Sequence, residues 1–121
     1  MIRGLDFVSL PSQDLSRSVA FYRDQLGLPP ITVEDKWAEF DLGGGAVLGV
    51  VHPASFGVEF AAVKTGMVAL RVDDVAKAID ELKAKGVEIP PAMDTGVCHM
   101  AFFADPDGNS LCLHNRYAPE D

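Results

Sequence analysis

The 121-residue sequence predicts an α+β domain made of two βαβββ modules, with curved mixed sheets and the helices outside. Three observations carry this: an internal repeat, an alternating strand followed by an amphipathic helix in each copy, and glycine-bearing turns between the later strands. "DFVSLPSQDLSRSVAFY" lies over "GMVALRVDDVAKAIDEL" at an offset of sixty, matching Phe7 with Met67, Val8 with Val68, Leu10 with Leu70 and Asp14 with Asp74. The back halves match at an offset of sixty-three, "FDLGGGAVLGV" over "FADPDGNSLCL", so that Phe40 meets Phe103, Leu48 meets Leu111 and Gly49 meets Cys112.

Each element follows in order. The first helix carries one apolar stripe, Leu15, Val19, Tyr22 and Leu26, and the second repeats it with Val75, Ile79 and Leu82. Gly27 and Gly86 stand where a left-handed cap ends each helix. Short apolar pieces, Ile31 to Val33 and Val87 to Ile89, supply one further strand per copy, and each copy closes on a strand, a glycine-containing turn and a strand. Module one therefore spans residues 1–52, a linker 53–64, and module two 65–117.

Ten basic residues against eighteen acidic ones give a net charge of −8, which argues against a nucleic-acid partner. The balance suits a cationic ligand and equally suits solubility. No apolar run approaches the roughly 20 residues that span a bilayer. The start "MIRGLDFVSL" carries no signal-peptide pattern, so a cytoplasmic location is expected. Cys98 and Cys112 lack zinc-site spacing.

The "DLSRSVAFYRDQLGL" helix, the "LRVDDVAKAIDELKAKGV" helix and the "FFADPDGNSL" hairpin, in that order, resemble the vicinal oxygen chelate superfamily of glyoxalases, bleomycin-resistance proteins and extradiol dioxygenases. The resemblance covers nearly the whole chain. It implies paired βαβββ modules curled into a cup and, in metal-dependent members, a metal held by first-strand and last-strand side chains. Those positions fall here on Phe7, Gly49, Met67 and Cys112. Phenylalanine and glycine offer no donor, and methionine suits hard or borderline ions poorly. No metal and no other cofactor is expected.

The DPDG turn, with Asp105 facing Gly108, would place Phe103 opposite Ser110, Ala101 opposite Cys112 and His99 opposite His114. Alternation then lines the cup with His99, Phe103, Cys112 and His114, and likewise with Phe7, Ser9, Ala38, Phe40, Val47, Gly49, Val51, Met67, Ala69 and Arg71. His99, His114 and Cys112 are the candidates for chemistry, but two rim imidazoles and a small buried thiol are the preferred reading of them. Arg71 can clamp an anionic group or pair with Asp73 or Asp74. Phe7, Phe40, Phe103 and Trp37 can stack a flat ligand or pack a core, and the pattern assigns Trp37 no face.

Three function classes follow, the third a partner-binding module with no ligand. The first is a metal-independent protein binding an organic small molecule, as the drug-sequestering bleomycin-resistance type does. The second is a lyase, isomerase or dioxygenase working through His99, His114 and Cys112, with or without a relocated metal. Open sheet edges predict a homodimer.

Overall fold

A computed structural model describes residues 1–119. Two four-stranded mixed sheets and two helices make up the α+β fold, one sheet and one helix per module. In sheet one, β1 (Val8–Pro11) runs parallel to β4 (Ala46–Val51), which pairs antiparallel with β3 (Trp37–Gly43), and β2 (Pro30–Val33) closes the far edge. Sheet two repeats the order with β5 (Val68–Arg71), β8 (Ser110–Arg116), β7 (Cys98–Ala104) and the two-residue β6 (Met93–Asp94).

Both helices start the same way. Asp14 caps α1 (Leu15–Ala20) by accepting from the Arg17 N–H at 3.2 Å, and Asp74 caps α2 (Val75–Ala84) by accepting from the Lys77 N–H at 3.0 Å. Gly27 and Gly86 end the two helical segments in the left-handed region, at φ 73° and 85°. Between α1 and Gly27 the chain makes a π-helical turn, Phe21–Gln25, in which the Leu26 N–H donates to the Phe21 carbonyl at 3.0 Å. The extra residue per turn brings both Phe21 and Tyr22 inward, while Leu15 and Leu26 are only partly buried. The stripe read from the sequence is broken there.

One core serves both modules. Val19, Phe21 and Tyr22 pack with Leu10, Ala38, Phe40, Leu48 and Val50, and Val75, Ile79 and Leu82 with Ala101, Phe103, Leu111 and Leu113. The strand expected at Val87–Ile89 is absent. Both side chains are buried in the core instead, and Pro90 and Pro91 follow without N–H groups, so the pairing segment shifts to Met93–Asp94.

The β7–β8 hairpin corrects the expected register. The Asp105 N–H donates to the Asn109 carbonyl and the Gly108 N–H to the Asp105 carbonyl, both at 3.0 Å, with Gly108 at φ 87°. The connection is thus a three-residue loop with a glycine bulge, one residue longer than the loop read from the sequence. Asp105 selects it: its Oδ1 accepts the N–H groups of Asp107 and Asn109, each at 2.9 Å. Phe103 therefore faces Leu111, Ala101 faces Leu113, and His99 faces Asn115. Strand β8 keeps its expected orientation and β7 turns over, because a shift of one residue reverses every side chain. The first hairpin follows the same rule. Phe40 faces Leu48, and both are fully buried with Ala38 on the helix side.

A buried polar cluster ties the modules together through this loop. The Tyr22 hydroxyl donates to Asp105 Oδ2 at 2.6 Å, and Asn109 Nδ2 donates to the same oxygen and to the Pro11 carbonyl, each at 2.8 Å. Asn109 Oδ1 accepts from the Val63 N–H at 2.8 Å, which fastens the linker. Burial, then the Asp105 charge, pushes the Tyr22 phenol far above its usual range, so it stays a neutral donor.

Candidate functional site

Each sheet has one face against the helices and one face open. On sheet one the open face carries Phe7 and Ser9, Trp37 and Glu39 from β3, and Gly49 and Val51 from β4. Phe56 reaches it from a 3-10 turn, Pro53–Phe56, which is capped by Gly57 at φ 73° and braced by the His52 ring against the Ser55 hydroxyl at 2.7 Å. Together they line a pocket of about 240 Å³. Phe7, Trp37 and Phe56 remain 61%, 39% and 54% exposed, a high exposure for three neighbouring aromatics. The Trp37 and Phe56 rings lie 6.4 Å apart, tilted by 36°. Gly49 gives the pocket its depth. A Cβ there would meet Val8 O at 3.6 Å and Ser9 Cβ at 3.8 Å, ordinary contacts, so a larger side chain would fill the space without straining the backbone.

Sheet two presents a different face. Ala69 is paired with Cys112, Arg71 with His114, and His114 in turn with Met100, while Phe102 pairs with Cys112. Cys112 is fully buried, its thiol donates to the Leu113 carbonyl at 3.1 Å, and burial pushes its pKa up. That is the environment of an inert thiol. Arg71 makes no ion pair with Asp73 or Asp74. It stands at a cleft of about 500 Å³ between the modules, walled by Leu26, Leu28, Leu42 and Leu82.

The expected site divides accordingly. Phe7, Ser9, Gly49 and Val51 meet in the pocket, and Met67, Arg71, Cys112 and His114 belong to module two. Phe40 and Phe103 are core residues, and His99 lies on the opposite face of its sheet from His114. His99 escapes an unpaired burial because its strand end is peripheral. Its ring stacks on Tyr117 at 4.7 Å and its Nε2 lies 3.5 Å from Asp94 Oδ2. The Asp94 carboxyl is held below its usual range, chiefly by the Gly96 N–H and then by the Tyr117 hydroxyl. Sequence reasoning missed Glu39 and Phe56 and left Trp37 unplaced. The signal for β3 was present in the alternation of Trp37 and Glu39 against Ala38 and Phe40; Phe56 sits in a linker without a pattern.

The four positions that hold metal in related folds do not fit one here. Phe7 and Gly49 have no donor atom, and Cys112 is buried and already bonded. Among the described residues no three His, Cys, Asp or Glu side chains cluster as a metal site would require.

Residues 4–113 match the family model described as the Glyoxalase/Bleomycin resistance protein/Dioxygenase superfamily. The chain is 30% identical to the uncharacterized protein YraH of Bacillus subtilis, over 88% of this chain and 94% of that one. It is 29% identical to a probable lactoylglutathione lyase of Vibrio parahaemolyticus, over 87% and 86%. Its fold matches the crystal structure of TnmS3, an antibiotic binding protein from Streptomyces sp. CB03234, with a TM-score of 0.80 at 23% identity, covering 95% and 97% of the two chains. With the repeat, the paired sheets and the family match in agreement, this chain belongs to the glyoxalase/bleomycin resistance protein/dioxygenase superfamily.

Proposed function

We propose that this chain is a metal-independent, cytoplasmic, homodimeric protein that binds an organic small molecule in the aromatic pocket of module one. The observation that carries the reading is the pocket itself: Phe7 and Gly49, at two positions where metal-dependent relatives keep ligands, open and line an apolar cavity. A cavity with apolar walls and few polar groups is the usual form of a small-molecule site. The likeness to an antibiotic binding protein agrees with it. No helix among the described residues is long and apolar enough to cross a membrane. The dimer rests on β1 and β5, edge strands of their sheets with unpaired backbone groups along one side.

The enzyme reading keeps the support of the lyase-named relative. Of its candidates, His114 and Cys112 share one face of β8, while His99 lies on the other face of that sheet.

The test combines elemental analysis of dialysed protein, light scattering, and titration with small aromatic compounds. Trp37 is the sole tryptophan, so its emission reports the pocket directly. Less than a tenth of an equivalent of zinc, iron, manganese or nickel is expected, with twice the 13.0 kDa chain mass and saturable quenching by at least one compound. A stoichiometric metal that the aromatic compounds cannot replace would overturn metal independence, a stable monomer would overturn the dimer, and no saturable quenching by any compound would overturn the binding role.

A further inference from the structure

We infer that the module-one pocket selects an organic cation, its positive charge held beside Glu39 and its body set against Phe7, Trp37 and Phe56. The inference rests on the binding role proposed above and adds the charge of the ligand.

Glu39 is the one charged residue in the pocket lining. It forms no ion pair among the described residues, and the hydroxyl of Thr32, opposite it in the sheet register, donates to Glu34 at 3.3 Å instead. A carboxylate without a partner beside aromatic rings lacks a cation, and the ring faces favour the same charge. An ammonium group already uses one of these rings: Lys36 Nζ lies 5.8 Å from the Phe56 centroid. The cavity of about 240 Å³ corresponds to about eight water volumes. That admits a single-ring aromatic amine or a small quaternary ammonium group. An anionic ligand would face the carboxylate of Glu39, the one charged side chain in the lining, with Lys36 over the Phe56 ring and outside that lining.

Three probes of similar size separate charge from apolar fit: benzyltrimethylammonium, benzyl alcohol and phenylacetate, each titrated against Trp37 emission and repeated by calorimetry. The cation should bind at least about tenfold more tightly than the neutral and anionic probes. Glu39→Gln should remove that preference, and Lys36→Ala should tighten the cation by removing a competing charge. Both side chains are at the surface or half-buried, and circular dichroism checks that the variants fold. Equal affinity for the cationic and neutral probes would overturn the inference while leaving the small-molecule role standing. So would a cation preference that survives Glu39→Gln. Failure of all three probes to bind overturns the inference, and the binding role falls with it only if the wider set of compounds also fails.

Discussion

The two open sheet faces differ far more than the two helix-facing sides, although one repeat generates both. On the helix side, Phe40 and Leu48 in module one correspond to Phe103 and Leu111 in module two, and each pair meets across its own hairpin. On the open side the same offset sets Trp37 against Met100, Glu39 against Phe102, Gly49 against Cys112 and Val51 against His114. The inner positions must fill a close-packed core, where a change of even one methylene is felt. The outer positions answer only to what the face must hold. One module has used that freedom to open an aromatic pocket with a carboxylate, and the other to close its surface over a buried thiol.

Both faces belong to one folded body built on a shared core, and the largest expected effect comes from breaking the joint between the modules. Asp105 accepts four hydrogen bonds from Tyr22, Asp107 and Asn109 while 5% exposed. Asp105→Ala leaves a phenol and an amide without their acceptor and removes the group that selects the bulged loop. The expected loss is about 3 kcal/mol or more, read as a lower urea midpoint. A loss under about 1 kcal/mol would mean that apolar packing alone joins the modules.

That loop also explains how far the sequence could be read. Apolar stripes, glycine stops and the sixty-residue offset are legible in the sequence, and they place the helices and most strands. The single residue added by Gly108 depends on which carbonyl the Asp105 N–H chooses, a matter of hydrogen bonding that "DPDGN" alone leaves open between a tight turn and a bulged one. The error then propagates through alternation: His99 and Phe103 exchange faces with Met100 and Phe102, while β8 stays as read. Phe7, Ser9, Gly49 and Val51 of the candidate pocket were legible because alternation along the segments of β1 and β4 sets them on one face whatever register the β3–β4 hairpin takes. Phe56 was not, since a 3-10 turn in a linker has no period to follow.

Gly49 and Cys112 occupy matching positions, so substituting both sharpens the contrast. Gly49→Leu places a side chain in the pocket with only ordinary contacts at its Cβ, and should weaken benzyltrimethylammonium binding by about tenfold or more through lost space. Stability should change little, within about 1 kcal/mol. Cys112→Ala, on the other sheet, should leave probe affinity unchanged. Equal losses of affinity in the two variants would show that the ligand touches both faces, a single cup rather than a pocket confined to module one.

The smallest effect concerns the thiol itself. The thiolate is the reactive species, and burial holds Cys112 above the ordinary thiol range, so at any given pH less of it is ionised than of a free cysteine. Labelling of the native protein with Ellman's reagent should therefore be slow near neutrality, with its pH profile displaced upward, and both thiols should react at once in guanidinium. Because the unfolded chain ionises first as the pH rises, the native state binds more protons across that interval and loses a little stability through it. Below the ordinary thiol pKa the contribution is fully present. Comparing wild type with Cys98→Ala assigns the slow site. If Cys112 in that variant reacted as quickly as a free thiol, the open face of module two would be accessible after all, and a nucleophilic role for it would regain its footing.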